Sequence, residues 1–331
     1  HRVERQRPAP VMEVSGRTFV RASAPRWWEQ LVAVALLLVQ QGAFVSLPLV
    51  LANPGVPLRG DDATNPWNTI GIWLSLAFIA VFWLSRPGQL AALASKNLSS
   101  VFFLFLVIAS TVWSIDPDVT FRRGVVYAVT LAVAFYLPAR FGVNGAIRLL
   151  SISFAIAAIA SIFLALTMPT FGTMQKFTLE GSWRGVFAHK EPFGSVMAIA
   201  LLTELYLLLR EPRAEIWRAF SAFGFLVLVF LSQSTTAVLV SLFYLAAVGL
   251  YVLWIQRPAT RRLALLVVVP LTVLIGAVVI NAPELPFEIL GKDSTLTGRT
   301  ELWEYVILLI GERPMLGWGY GAAWQQTGSL S

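Results

Sequence analysis

Apolar stretches close to twenty residues long recur through this chain, and no other feature constrains its fold as tightly. They fall at residues 30–51, 69–85, 98–113, 124–138, 147–168, 192–209, 218–232, 236–255 and 263–281. A hydrocarbon layer of about 30 Å takes roughly 20 residues of α-helix, because in lipid every backbone N–H and C=O must be bonded within its own segment. One soluble core could not hide the apolar surface of 331 residues that are 57% hydrophobic and 13% charged. The expected fold is all-α: a polytopic transmembrane helix bundle of about nine spans, the third, fourth and seventh of them short.

The first run is longer than the roughly 7 to 15 apolar residues of a secretory signal, and no small-residue cleavage site follows it, so it reads as a permanent span. Residues 1–28 carry Arg2, Arg5, Arg7, Arg17, Arg21 and Arg26 among prolines and small residues, as a flexible basic tail would. Residue 1 is His, so that tail is expected to belong to a longer chain. No repeat, low-complexity tract or soluble domain boundary divides the rest. The expected organisation is a tail at 1–28, a transmembrane bundle at 29–281, and a loop segment with an amphipathic helix at 282–331.

With no cysteine, disulfides and thiolate metal sites are excluded, so the compartments must be read from charge. If the tail is cytoplasmic, 16 of the 25 Lys and Arg fall on the cytoplasmic side, in the tail and at Arg86, Lys96, Arg140, Arg148, Arg210, Arg213, Arg218, Arg257, Arg261 and Arg262. That bias orients the bundle with its N-terminus inside. The net charge of +7 then reflects topology and attraction to the lipid bilayer. No basic stripe interleaved with stacking aromatics appears, so nucleic acid is not an expected partner.

The cations left outside are the informative ones. Arg122 and Arg123 open the fourth span in "WSIDPDVTFRRG". Lys176, Arg184 and Lys190 precede the sixth, and Lys292, Arg299 and Arg313 lie in the terminal segment; Arg59, beside Asp61 and Asp62, is ordinary loop charge. An outward-facing anion would reward such clusters, since a guanidinium holds phosphate through a planar bidentate fork. The alternative for any single one is interfacial snorkelling to lipid phosphates.

"GSWRGVFAHKEPFGS", 181–195, holds the densest mid-chain charge, with Arg184, His189, Lys190 and Glu191. His189 is either an interfacial hydrogen-bonding residue or a proton carrier. Asp116 and Asp118 have a spacing that could hold a metal, but Asp118 is also placed to cap the fourth helix, and no metal site is expected. The hydroxyls of "SQSTT", 232–236, would satisfy backbone at a tight helical hairpin or touch substrate. In "GRTELWEYVILLIGERPMLGWGYGAAW", 298–324, Thr297 or Thr300 can cap an amphipathic helix carrying Leu302, Trp303, Val306, Ile307, Leu309 and Ile310. Arg299 sits at that helix's N-terminus, where backbone N–H groups also favour an anion. Trp318, Tyr320 and Trp324 offer flat faces that suit sugar rings, or an interfacial aromatic belt.

These segments, "WSIDPDVTFRRG", "WRGVFAHKEPFGS", "LSQSTTA" and the terminal one, resemble in kind and order the O-antigen ligase and exopolysaccharide polymerase family of bacterial membrane glycan polymerases and ligases. The exopolysaccharide-production branch is the nearest in likeness. The resemblance implies a periplasmic-face glycosyltransferase of the bacterial inner membrane. It would take a glycan from an undecaprenyl-pyrophosphate carrier and join it to a saccharide or glycolipid acceptor, with no cofactor and no obligatory metal, and with polysaccharide export machinery as a further partner. Arg184 and Arg299 would hold the pyrophosphate as it leaves. Arg122, Arg123, His189, Lys190, Trp318 and Tyr320 would bind substrate.

Two departures stand out. Where the family's motif usually has Asn, this chain has Glu191 and Pro192. The family's downstream His-Asn motif and further spans would lie beyond residue 331, so 282–331 is expected to be the first part of a periplasmic catalytic loop, with the general base outside it and the piece inactive alone. A polymerase that extends exopolysaccharide is the leading expectation. The alternatives are a ligase acting on a lipid A core, a lipid-linked oligosaccharide flippase and a non-catalytic scaffold. Charges gathered at span ends, with Glu204 the main exception inside a span, favour interfacial chemistry over transport.

Overall fold

A computed structural model describes residues 25–44, 48, 66–175, 181–210, 215–256 and 299–324. Outside them lie the tail through residue 24, the ninth expected span at 263–281, residues 282–298 and 325–331 of the terminal segment, and Arg59, Lys176 and Lys292.

The described residues form helices and no β-strand; a single bridge joins Thr173 to Trp183. In chain order the helices are α1 (Trp27–Gln40), α2 (Pro66–Leu84), α3 (Pro87–Lys96), α4 (Leu98–Ala109), α5 (Pro117–Thr167), α6 (Pro169–Gly172), α7 (Lys190–Arg210), α8 (Glu215–Leu231), α9 (Thr235–Gln256) and α10 (Arg299–Glu312). A 3-10 turn, Ser110–Val112, extends α4.

Four described helices are long and apolar enough to cross a membrane, or five if α3 and α4, bent by 97°, count as one broken span. The fourth and fifth expected spans are joined as the two arms of α5. Between them only Gly142 leaves helical geometry, at φ 70 and ψ 167. That region is open essentially to glycine alone. The arms, 117–141 and 143–167, are each about 37 Å long at 1.5 Å per residue. The first expected span is shorter than its apolar run, because α1 ends in a turn with Gly42 at φ 71 and Phe44 at φ 65.

Two apolar cores share α5. In the first, Ala33 and Leu37 of α1 meet Ile72 and Trp83 of α2 and Val129 and Tyr136 of the first arm, with Phe82 edge-on to Tyr136 at 4.6 Å. In the second, Phe154 and Ala157 of the second arm meet Phe193 and Met197 of α7 and Phe225 and Val229 of α8. Leu38 and Leu150 touch both. The opposite faces are apolar and uncovered: Val81 and Leu84 on α2, and Ile216, Phe220 and Phe223 on α8, are exposed. Water would penalise that surface and lipid would not. The chain is an all-α, multi-pass membrane protein.

Two charges assigned to cytoplasmic loops are instead drawn into the helices. Arg140, buried in the first arm, pairs with Glu29 of α1. Arg218 of α8 pairs with Glu204 of α7 at 3.1 Å, and Ser151 of the second arm also donates to that carboxylate. A carboxylate 2% exposed demands such partners.

Candidate functional site

The first group of site residues is assembled where the start of α5 receives the terminal turn. Asp116, not Asp118, is the helix cap: its Oδ1 accepts from the Val119 N–H at 3.0 Å, with Pro117 at the first helical position. That carboxylate is therefore occupied. Asp118 falls in the first turn, where its charge faces the positive helix end.

After α10 the chain turns back on itself with Gly317, Gly319 and Gly321 at φ 66, 94 and 73. Hydrogen bonds stitch this turn to 110–123: Ile115 N–H donates to Trp318 O at 3.1 Å, Trp113 Nε1 to Leu316 O at 2.8 Å, and Tyr320 N–H to Ser110 Oγ at 3.1 Å. Arg123 Nη1 donates to Gly321 O at 2.5 Å. A Cβ on Gly319 would lie 2.3 Å from Ser114 Oγ and 2.9 Å from its Cα, so the approach admits no side chain.

The arginines and aromatics of this group divide their work. Arg313 stacks on Trp318 at 4.2 Å, and the indole N–H donates to Leu309 O at 2.9 Å, so Trp318 pins the turn to α10. Tyr320 and Trp324 instead line a cleft of about 730 Å³ between α2 and the first arm of α5, together with Arg122, Arg123, Trp73 and Thr69. On α10, Leu309 is buried, whereas Trp303, Ile307 and Ile310 are exposed. One of the six expected apolar-face positions therefore forms the buried contact.

The second group surrounds Arg184. Its loop is held hard against α5 and α6: the N–H groups of Arg184 and Gly185 both donate to Gly172 O, at 3.0 and 2.9 Å, and Val186 N–H donates to Ser161 Oγ. Gly185, at φ 55, lies where a Cβ would be 2.2 Å from Ser161. This fixes Arg184 at 4% exposure with its Nε donating to Phe171 O at 2.9 Å. Burial pushes its pKa down from the ordinary arginine value. Among the described residues no carboxylate pairs with it, so a buried cation is met only by a backbone carbonyl. That is the electrostatic condition in which a bound anion is favoured most.

The hairpin between α8 and α9 braces this loop. Ser232 Oγ donates to Val229 O and accepts from Ser234 N–H, the backbone role expected of it. Beyond that, Gln233, at φ 51, accepts Lys190 Nζ on its carbonyl at 3.2 Å and Ser182 Oγ on its side chain at 2.9 Å, and Ser234 Oγ donates to Glu191 Oε2 at 2.5 Å. His189 Nδ1 accepts from Glu191 N–H at 3.3 Å. Gln233 and Ser234 in this bracing role escaped the sequence analysis; the short "SQST" connection was the available signal. Glu191 thus makes a polar contact through Ser234.

Arg122, Arg123 and Tyr320 are thus gathered at the cleft with Trp318 behind them, while Arg184, His189 and Lys190 are gathered at the hairpin. Arg299 begins α10, and its side chain lies outside the described residues.

A multi-pass membrane bundle with basic residues gathered in two groups, one at the cleft and one in the loop before α7, is the class of protein that the fold defines. The comparisons add a family. Residues 220–330 match the family described as O-antigen ligase. The chain is also 26% identical over 264 residues to the exopolysaccharide production protein ExoQ of Rhizobium meliloti, an alignment covering 77% of this chain and 58% of that protein. Together these support the O-antigen ligase and exopolysaccharide-production family for this chain. No solved structure matches it significantly.

Proposed function

We propose that this protein is a membrane glycan polymerase that lengthens an exopolysaccharide. The donor is an oligosaccharide on undecaprenyl pyrophosphate, bound at the periplasmic face of the inner membrane with the N-terminus cytoplasmic. The observation that carries the proposal is Arg184, 4% exposed and without a carboxylate partner among the described residues, in a loop that resembles the family's motif.

In the reaction, an acceptor hydroxyl oxygen attacks the anomeric carbon and the bond from that carbon to the diphosphate oxygen breaks. The hydroxyl proton passes to a general base, and the lipid diphosphate departs as an anion. The developing negative charge falls on oxygens that Arg184 and Arg299 would hold, which lowers the barrier without proton transfer to the leaving group. The general base is assigned to a residue outside the described ones. No metal or cofactor is invoked, and domain 282–331 is read as part of the catalytic loop. A ligase delivering the glycan to a lipid A core would use the same donor chemistry; the relative's name, an exopolysaccharide production protein, supports exopolysaccharide as the product.

The test is polymer length in cells whose only copy of the full-length protein carries Arg184→Ala or Arg299→Ala. Loss of long polymer at unchanged protein level is expected; unaltered length and amount with both variants would refute the diphosphate role.

A further inference from the structure

Among the described residues Gln233 and Phe44 alone hold positive φ without being glycine, Gln233 at 51. Glycine or asparagine would adopt that conformation at less cost, so strain kept at a glutamine points to a use for its side chain. The surroundings hold the strain in place. Gln233 N–H donates to Phe230 O at 3.0 Å, and Ser232 N–H to Leu228 O at 3.0 Å. A Cβ on Gly194 of α7 would lie 2.7 Å from Ser232 Oγ and 3.0 Å from Ser234 Cβ, so α7 clamps the hairpin. Ser232 and Ser234 are buried on either side, and Gln233 between them is exposed.

The Gln233 amide is only half engaged. Ser182, 0% exposed, donates its hydroxyl to Oε1 at 2.9 Å, and among the described residues Nε2 has no partner. Two N–H donors are thereby oriented at an exposed position before any ligand arrives. They stand beside the candidate donor site: Trp183 N–H donates to Leu231 O at 3.0 Å, tying the hairpin to the Arg184 loop, and Gln233 O accepts Lys190 Nζ at 3.2 Å. Cations meet diphosphate oxygens best, whereas a neutral amide suits a neutral oxygen such as a sugar hydroxyl. We propose that Gln233 reads the first sugar of the donor, the one bonded to the diphosphate, by donating Nε2–H to one of its hydroxyl oxygens. The proposal rests on the donor site placed above at Arg184. It makes Gln233 a specificity residue, because a sugar without that oxygen leaves the amide unpaired.

The test is binding to the full-length protein in nanodiscs of two fluorescent probes, a polyprenyl-diphosphate oligosaccharide and the same polyprenyl diphosphate without sugar. Gln233→Glu keeps an oxygen for Ser182 and the carbonyl for Lys190 and removes the donor; Gln233→Met removes the donor without adding charge. Both variants are expected to weaken the sugar-bearing probe about tenfold, the effect of one lost hydrogen bond. Gln233→Met should leave the sugar-free probe unchanged, and Gln233→Glu should keep the wild-type thermal midpoint. Equal weakening of both probes by Gln233→Met would assign the amide to the diphosphate and overturn the proposal. A loss confined to Gln233→Glu would be charge repulsion, and a lowered midpoint with unchanged binding would leave Gln233 a brace; either overturns it. Sugar-dependent binding that both variants weaken, in a protein that transfers no glycan, would refute the proposed function and leave the Gln233 contact standing. Transfer by the wild type with both variants binding normally would sink the contact alone.

Discussion

Arg184 and Gly319 carry the most at the scale of single residues. The Arg184 guanidinium is buried, held by one carbonyl and made costly by desolvation, so an anion that neutralises it gains more than it would at an exposed arginine. Arg184→Ala is expected to lower the initial rate of transfer by a hundredfold or more, the range seen when one preorganised oxyanion donor is removed. Arg184→Lys should not restore it, because a point charge lacks the fork that grips two oxygens; a lysine variant near the wild-type rate would contradict the bidentate role. Gly319→Ala tests the docked turn, since its Cβ would meet Ser114 and its φ of 94 is itself unfavourable to a side chain. Faster hydrogen exchange across 313–324 is expected, with the α7 and α8 core unchanged.

Elements explain why the bundle tolerates charge inside an apolar layer. Glu204 accepts both Arg218 and Ser151, joining α7, α8 and the second arm of α5 at one polar point. Glu204→Leu alone should lower stability by about 1–3 kcal/mol, because it removes the counter-charge of Arg218, which keeps its hydrogen bond to Ser151 Oγ. Combining it with Arg218→Leu should recover most of that, read as thermal midpoints in detergent; equal losses in the single and double variants would refute the pairing. The bend in α5 depends on Gly142 in the same local way. Nothing lies within 4 Å of the Cβ that Gly142→Ala would add, so its cost, about 1–3 kcal/mol, is one of backbone strain. A midpoint unchanged from wild type would mean the bend can re-form with a side chain.

For the whole molecule, what could be read from sequence follows the reach of each signal. Helices of the membrane layer were legible because apolar run length and backbone satisfaction act locally, and α2, α7 and α9 lie close to their expected spans. The merger of two spans into α5 was not, since an apolar pattern cannot tell a loop from a helix kinked at one glycine. Candidate arginines stood out in the sequence as positive charge on the face expected to be the outer one. Their division into a cleft group and a hairpin group did not: Arg123 meets Gly321 across 198 positions of sequence, and Lys190 meets Gln233 across 43. Such pairings depend on tertiary packing, which no local pattern encodes. The alignment with the exopolysaccharide production protein covers 58% of that protein's length, so the activity assigned to the whole protein is the claim most in need of direct measurement. That measurement is glycan transfer by the purified full-length protein in liposomes, given undecaprenyl-pyrophosphate oligosaccharide with and without a lipid A core acceptor. Longer chains formed from the donor alone, and lost with Arg184→Ala, are the expected result. Product formed only with the core acceptor, or no product from folded protein in either case, would contradict the polymerase.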